Sequence, residues 1–504
     1  MKIKTVFRAI IFMMFMTRHV VSRNLRSLAQ DGPSKIPVFY IDIGGQEIID
    51  QPKVFGTYNV SDGSDTYSGR LGIEFLDVSS QEFPKKSYEF ETVDSNDTDI
   101  NVSILGFPKE NDWILSGPYS DKTLLRHVLA YNISREMGHY ASRTKYVDLM
   151  INDEYQGIYV LMEKIKRDSN RIDVSKNKDG ETGYILKIDR PSKNSYGDRV
   201  FTENNSFLSR FGSDIVPDDY TVNVHMLYEY PKEKDISEDQ KKYISTFIDD
   251  FEVALASPDF KNPFSGRSYD YYIDIESFID FMIIQEISKN IDGYRLSTYL
   301  YKDVGGKLNM GAVWDFNIAF GNHFECEADL TTGWEYYFHS VCSTSYAPPF
   351  WFARLVRDPE FVSKFQERWS FVRKSFLSTE NVLQTIDNYV DEISLSVDKN
   401  FTKWRVLGIY VWPNKFIGKT HREEVDFMKS WIMDRLEWMD SAIEAGEMAT
   451  IDDGNAIGVI PEEFGGEETT TGTTTESSSG NSIFRYYNLN MMCIGIISVI
   501  GYMF

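Results

Sequence analysis

Near residue 235 the apolar residues change period, and that change limits the fold more than any other feature of the chain. From Val38 to about Arg190 they alternate or run together at strand length, in VFYIDI, LGIEFL, SYEFET, KYVDLMI, GIYVLMEKI and GYILKID. One helical stretch interrupts them. In SDKTLLRHVLAYNISREMG, Leu124, Leu125, Val128, Leu129, Ile133 and Met137 share a face, with Ser120 or Asp121 to cap the start and Gly138 the end. Beyond residue 235 the period is helical over roughly 237–256, 275–290, 349–376, 380–399 and 422–445. No internal repeat is visible. The pattern predicts an α+β chain in two parts, the first strand-rich with one helix, the second helical around one hairpin.

That hairpin carries the candidate chemistry. Ser297–Lys302 alternates as a strand, Asp303-Val304-Gly305-Gly306 is turn chemistry, and Lys307–Val313 returns. Paired strands lie about 5 Å apart, so the residues flanking the hairpin, Asp292 and Asp315, are expected on one wall of a cleft. Neighbouring carboxylates repel, and such a pair serves a cation or divides into acid and base roles. Phosphoryl transfer uses both, one acid taking a hydroxyl proton and another holding Mg²⁺ against phosphates. Hairpin-flanking acids are also common in any acidic protein.

The chain is 504 residues long with a formal net charge of −23, which argues against nucleic acid or anionic lipid as a partner. Lys2, Lys4 and Arg8 precede a short apolar run, Ala9 to Met16, and Val20 and Ser22 are small enough for a signal-peptidase site. Residues 1–22 are therefore expected to be a signal peptide, with a disordered basic tail as the alternative. Residues 23–36 form a polar linker. Residues 446–482 include the Thr/Ser-rich GEETTTGTTTESSSGNS and are expected to be a stalk, and 483–504 end in MMCIGIISVIGYMF. Small residues, a spacer and an apolar tail match a GPI-attachment signal; a transmembrane tail is the alternative. Both ends point to the secretory pathway and the outer cell surface. N-x-[ST] sequons at Asn59, Asn96, Asn101, Asn132, Asn204 and Asn400 agree. Cys493 lies in the tail, and Cys326 and Cys342 are spaced to close one loop, or remain two buried thiols. No zinc pattern occurs.

Several segments together resemble the spore coat protein H (CotH) kinase family, an atypical relative of the protein kinases. They are FPKKSYEFET, GPYSDKTLLRHVLAYNISREMG, YQGIYVLMEKIKRDSNRID, GYILKID, the hairpin stretch through AFGN, PFWFARLVRDPEF and NFTKWRVLGIYVWPNKFIG. The resemblance implies a protein-kinase-like two-lobed fold, with an N-lobe over 37–165 and a C-lobe over 166–445, and a site for ATP with Mg²⁺ or Mn²⁺. It makes Asp292 the catalytic aspartate and Asp315, in WDFN, the metal aspartate. Ser297 stands where ordinary kinases place a metal-binding asparagine, and Asn317 either adds an oxygen to the metal or caps the turn. Lys85 and Lys86 would meet phosphates, at most one of them pointing inward, or are surface lysines. Glu163 and Lys164, in a hinge-like MEKIKR, would line the nucleotide pocket. Arg126 would be a pocket residue or part of a solvated face.

One departure bears on activity. The family's small-residue loop, of the form R-G-S-S-S, is here Leu76-Asp77-Val78-Ser79-Ser80. A carboxylate about 4 Å from a phosphate at an effective dielectric near 20 costs roughly 4 kcal/mol before metal screening. The expected function is a secreted or surface-anchored kinase acting on Ser/Thr of secretory or surface proteins. The alternative is a surface binding module or adhesin that keeps the fold and engages a host or cell-surface receptor.

Overall fold

The computed structural model describes residues 34–449 except 77–81, 179, 192–198, 215–220 and 343. The signal segment, most of the linker, Asp77, the stalk from residue 450 on and the apolar tail with Cys493 lie outside the described residues; Met448, within the expected stalk, is instead buried in the main core, where its carbonyl accepts from the Tyr336 hydroxyl.

The first strands close a barrel. They are β1 (Val38–Asp42), β2 (Val54–Ser61), β3 (Thr66–Phe75), β4 (Tyr88–Val93), β5 (Asp112–Ser116), β6 (Thr144–Ile151) and β7 (Glu154–Glu163). Their order is β1-β2-β3-β4-β5-β7-β6, closed by parallel pairing of β1 with β6. Alternate residues such as Phe39, Val60, Leu71, Phe90, Trp113 and Leu161 fill the interior. The outward side chains of β5, β6 and β7, among them Ile114, Tyr146, Ile158 and Met162, join the main core. Both faces of these strands are thus buried, which explains why GIYVLME reads as an unbroken apolar run.

The single helix of this part, α1 (Arg126–Glu136), starts later than its pattern implied. The Asp121 carboxylate accepts from the Thr123 and Arg126 amides, holding residues 121–125 as a turn and not as a first helical turn. Leu124, at φ +66°, belongs to that turn.

GYILKID corrects the expected layout. As β8 (Tyr184–Ile188) it leaves the barrel and joins a five-stranded sheet with β9 (Ser206–Leu208), β10 (His225–Tyr230), β11 (Thr298–Lys302) and β12 (Leu308–Met310), in the order β12-β11-β8-β10-β9. The hairpin is therefore the edge of a larger sheet. Around it pack α2 (Glu238–Ala256), which opens on a Ser237/Gln240 capping box, and α3 (Ile275–Ser288), buried along almost its whole length. The predicted helix over 349–376 is two, α4 (Trp351–Leu355) and α5 (Pro359–Arg373), because Asp358 caps a new start and Pro359 takes its first position. Then follow α6 (Thr379–Ile393), α7 (Val397–Lys403) and α8 (His421–Glu444). No helix among the described residues is long and apolar enough to cross a membrane.

Helix α7 docks on the barrel through a side chain that the sequence marked as a glycosylation acceptor. Asn400 is 1% exposed, and its Oδ1 accepts from Ile158 N and Lys85 Nζ, both at 3.0 Å. Trp404 Nε1 donates to Gln156 O at 2.7 Å. The approach is close enough that a Cβ on Gly157, at φ +115°, would meet Asn400 Oδ1 at 2.6 Å. Asn59, Asn96, Asn101 and Asn204 are exposed and Asn132 is half-buried. Replacing Asn400 with alanine leaves two buried donors each short of an acceptor. Urea denaturation of Asn400→Ala is expected to show a loss of about 1–3 kcal/mol, against less than about 0.5 kcal/mol for Asn96→Ala.

Candidate active site

The hairpin does bring its flanking segments together. Helix α3 ends on Lys289 in the left-handed region, and the next residue, Asn290, links the two strands' approaches. Its Nδ2 donates to Asp315 O and its Oδ1 accepts from Asp292 N, both at 3.3 Å. Tyr294, Ser297, Asp315 and Phe320 have φ of +64°, +49°, +61° and +50°. Such backbone costs on the order of 1–3 kcal/mol per residue and persists where the surroundings fix it, characteristically at functional sites. Helix α1 forms the opposite wall. Tyr131 and His127, one turn apart, stack on each other; the Tyr131 hydroxyl accepts from Asp315 N, and Tyr131 also stacks on Trp314.

The two carboxylates differ in setting. Asp292 has a side chain 20% exposed, paired at 2.9 Å with Arg295 Nη2. Burial pushes its carboxyl up to about 6; Arg295 opposes the rise, Asp315 adds to it, and Arg190 and Asp189 contribute with opposite signs. A carboxylate near 6 suits a general base working close to neutrality. Asp315 is 36% exposed, and its imidazole partner is His127, whose Nε2 lies 3.5 Å away. That nitrogen is buried without a hydrogen bond.

The remaining candidates occupy varied places. Ser297 and Asn317 are half-buried, in the segments that follow Asp292 and Asp315, and Asn317 O accepts from Asn322 Nδ2 at 2.9 Å. Lys85 is neither at the surface nor directed at either acid: 1% exposed, its Nζ donates to Ile158 O, Asn400 Oδ1 and Pro118 O. Lys86 is half-buried, and its carbonyl accepts the Tyr159 hydroxyl at 2.8 Å. Arg126, also 1% exposed, is no solvated residue; its guanidinium binds Asp121, Ala319 O and Phe320 O, tying α1 to the segment after Asp315. Glu163 is fully buried against Arg143 and Arg171, and Lys164 pairs with Glu89. Lys85, Arg126 and Glu163 thus have their polar atoms committed inside the protein, which offers no support for contacts with a nucleotide.

Four residues of this region escaped the sequence reading. Arg295 stands three positions after Asp292, where only the pairing geometry reveals it. His127 is marked only by its one-turn spacing from Tyr131. Lys187 on β8 and Asp189 just after its end are two residues apart, a spacing present in GYILKID, and pair at 2.6 Å with the lysine over the Tyr299 ring. A cavity of about 250 Å³ adjoins, lined in part by Asp189, Arg295, Tyr346, His225 and Phe201.

A family model described as CotH kinase protein matches residues 73–439, from within β3 to within α8. The chain belongs to the CotH kinase family. No curated protein matches it. Membership in a CotH kinase family implies a kinase-type transferase, and with it ATP and a divalent cation. The residues fit such a cation: Asp315 presents a partly exposed carboxylate beside an orphaned imidazole nitrogen, and oxygen ligands are what Mg²⁺ prefers. Another carboxylate group, Glu89, Glu91 and Asp112, sits on the barrel. Each of its members already pairs with a lysine, Lys164, Lys53 or Lys166.

The Asp292 shift carries a sign that stability measures. Its folded value lies above the unfolded one, so the ionised group costs stability above pH 6, and the cost is relieved as pH falls toward 4. Asp292→Asn is expected to stabilise the chain at pH 7 by about 2–3 kcal/mol at most. The gain shrinks to nothing near pH 4, read by melting temperature across that window.

Proposed function

We propose that this CotH kinase family member is a two-lobed, protein-kinase-like enzyme that transfers phosphate from ATP to Ser/Thr hydroxyls of secretory or surface proteins. The barrel with α1 serves as the N-lobe, the five-stranded sheet with its helices as the C-lobe. One observation carries the reading. The β11–β12 hairpin sets a half-buried carboxylate near 6, Asp292, beside a more exposed one, Asp315, that has an unsatisfied imidazole at its side.

In this reading Asp292 takes the proton of the acceptor hydroxyl as its oxygen bonds to the γ-phosphorus and the bond to the β–γ bridging oxygen breaks. Asp315 would hold the divalent ion, with Asn317 and Ser297 as further oxygen donors. A bound ion neutralises charge on the phosphates. Arg295 keeps Asp292 ionised, and Asn290 fixes the spacing of the two segments.

The second reading, a nucleotide-poor binding module, is favoured by a different observation. Lys85, Arg126 and Glu163 are satisfied within the protein, and Lys187 is paired with Asp189, so these side chains are committed before any phosphate arrives. Asp77, outside the described residues, weighs the same way.

Transfer from ATP in Mg²⁺ or Mn²⁺ to a Ser/Thr protein mixture separates the readings. The wild-type chain is expected to turn over, Asp315→Ala to lose both transfer and metal-dependent nucleotide binding, and Asp292→Asn to keep binding while losing most turnover. ATP at about 100 times its dissociation constant adds roughly 2.7 kcal/mol to stability. No thermal shift at millimolar ATP with either metal favours the binding module.

The cell-surface location belongs to the same proposal: removal of residues 1–22, and transfer of the chain to a glycolipid near Ser478–Ser482. Mass spectrometry of the protein from intact cells is expected to find no peptide from Met491–Phe504; recovering one means a membrane-inserted tail instead.

A further inference from the structure

Arg295 makes contacts in several directions, and together they fix its plane. Nη2 donates to Asp292 Oδ1 at 2.9 Å, Nε to Ile291 O at 2.7 Å and Nη1 to Tyr346 O at 3.4 Å. The guanidinium lies 4.4 Å from the centroid of the Phe338 ring. A guanidinium stacked on a ring keeps its fork in one orientation, which a lysine at the same place does not.

Phe338 stands in the loop that the Cys326–Cys342 bridge closes, and Tyr346 lies just beyond it. Within that loop the regular structure is a turn of 3₁₀ helix, Glu335–Tyr337, and a four-residue helix, Phe338–Val341. Helices so short do not hold their own shape in water. Other ties act on the loop's middle. Glu286 accepts from the Glu335 and Tyr336 amides at 2.8 and 2.9 Å, and Lys289 Nζ donates to Glu327 O and Thr332 O, both at 2.7 Å. The cysteines themselves pack with Ile291, Ile318, Ala328 and Phe338. Ile291 precedes Asp292, and Ile318 follows the WDFN segment. The bridge therefore packs on the small apolar cluster that also holds residues from both approaches to the acid pair and the ring that carries Arg295.

We propose that Arg295 is the positioning residue of Asp292, and that the Cys326–Cys342 bridge acts through Phe338 to hold Arg295 in place. The acid pair is then assembled in the oxidised chain and loosened in the reduced one. The turnover part of this inference rests on the reading of Asp292 as base. A dithiol reductant opens the bridge by two successive exchanges. Each protein sulfur leaves as a thiolate and takes up a proton, and the reductant's two sulfurs end joined in its own disulfide.

The test uses the full chain, its bridge verified by the absence of alkylation at Cys326 and Cys342 without reductant. Arg295→Gln is expected to lower kcat about tenfold or more while KM for ATP stays within about twofold, and Arg295→Lys to recover part of the loss. The paired substitution Cys326→Ser with Cys342→Ser lowers kcat in the same way. Combined with Arg295→Gln it adds little, because both act on one contact. Losses that multiply, or a cysteine pair variant with unchanged kcat, overturn the proposal.

Amide exchange gives a readout independent of turnover. In the cysteine pair variant, and in wild type after reduction, residues 290–296 are expected to exchange faster while β4 is unchanged. Unaltered protection of 290–296 overturns the inference even in a chain that transfers no phosphate. Absence of transfer in wild type, with the exchange response intact, counts against the kinase reading alone.

Discussion

The helical part of this protein is organised around one buried ion pair, Glu286 with Arg435, at 3.2 Å and fully excluded from solvent. Its partners come from α3, α8, the segment after Asp292 and the disulfide loop. Glu286, on α3, also accepts the Tyr294 hydroxyl at 2.9 Å, and so reaches the segment that carries Asp292. Arg435, on α8, donates to Glu286 O and to the carbonyls of Thr331 and Gly333 in the disulfide loop. Removing one member of such a pair costs about 3–5 kcal/mol, because the other is left charged and unpaired. Replacing both with apolar residues costs far less, so the pair is poor evidence of stability as such. What it supplies is direction, since hydrogen bonds aimed at named amides permit one arrangement of α3, α8 and the loop between them.

The barrel is joined to this framework by equally specific polar contacts. Asn400 and Trp404 fasten α7 to β7, and Arg126 fastens α1 to residues 319–320. Apolar burial supplies the driving force for packing but tolerates sliding. The buried polar side chains do not, because each unmet donor costs about 1–3 kcal/mol. Lysine, arginine and asparagine here do the work of alignment, and their charges are spent on it. This explains why basic residues in family-like segments turn out to be interior: a conformation that holds two acids together needs fixed walls more than it needs additional cations.

Much of the fold was legible because periodicity reports burial. Five of the seven barrel strands, the positions of the long helices and the hairpin follow from spacing, and the approach of Asp292 to Asp315 follows from the hairpin; β2, with an exposed outer face, and the five-residue β5 were not read, and the stretch 380–399 is the two helices α6 and α7. The boundary of α1 was not legible, since Asp121 bonds to a turn that the same residues disguise as a first helical turn. The placement of GYILKID was not legible either: an apolar strand carries no mark of which sheet it joins, and β8 pairs with β11 more than a hundred residues away in the chain. Lys85 and Arg126 show the limit for site residues. A basic residue beside an apolar run looks alike in sequence whether it faces a ligand or, as Lys85 and Arg126 do, carbonyl and carboxylate oxygens of the protein itself. Arg295 shows the converse, an ordinary arginine until Phe338 and Tyr346 are folded over it.

The burial of Asn400 has a consequence for how the chain is made. Asn400-Phe401-Thr402 is an acceptor tripeptide while extended, and it ceases to be one once α7 seats against β7, where the amide is needed by Ile158 and Lys85. A sugar attached there has no space between helix and barrel, so a modified chain cannot complete its closure. Wherever this polypeptide emerges beside an oligosaccharide-transferring enzyme, docking of α7 and sugar transfer are in a race. The yield of native protein is then set by kinetics, through how soon the barrel is ready to receive a helix made some two hundred and fifty residues later.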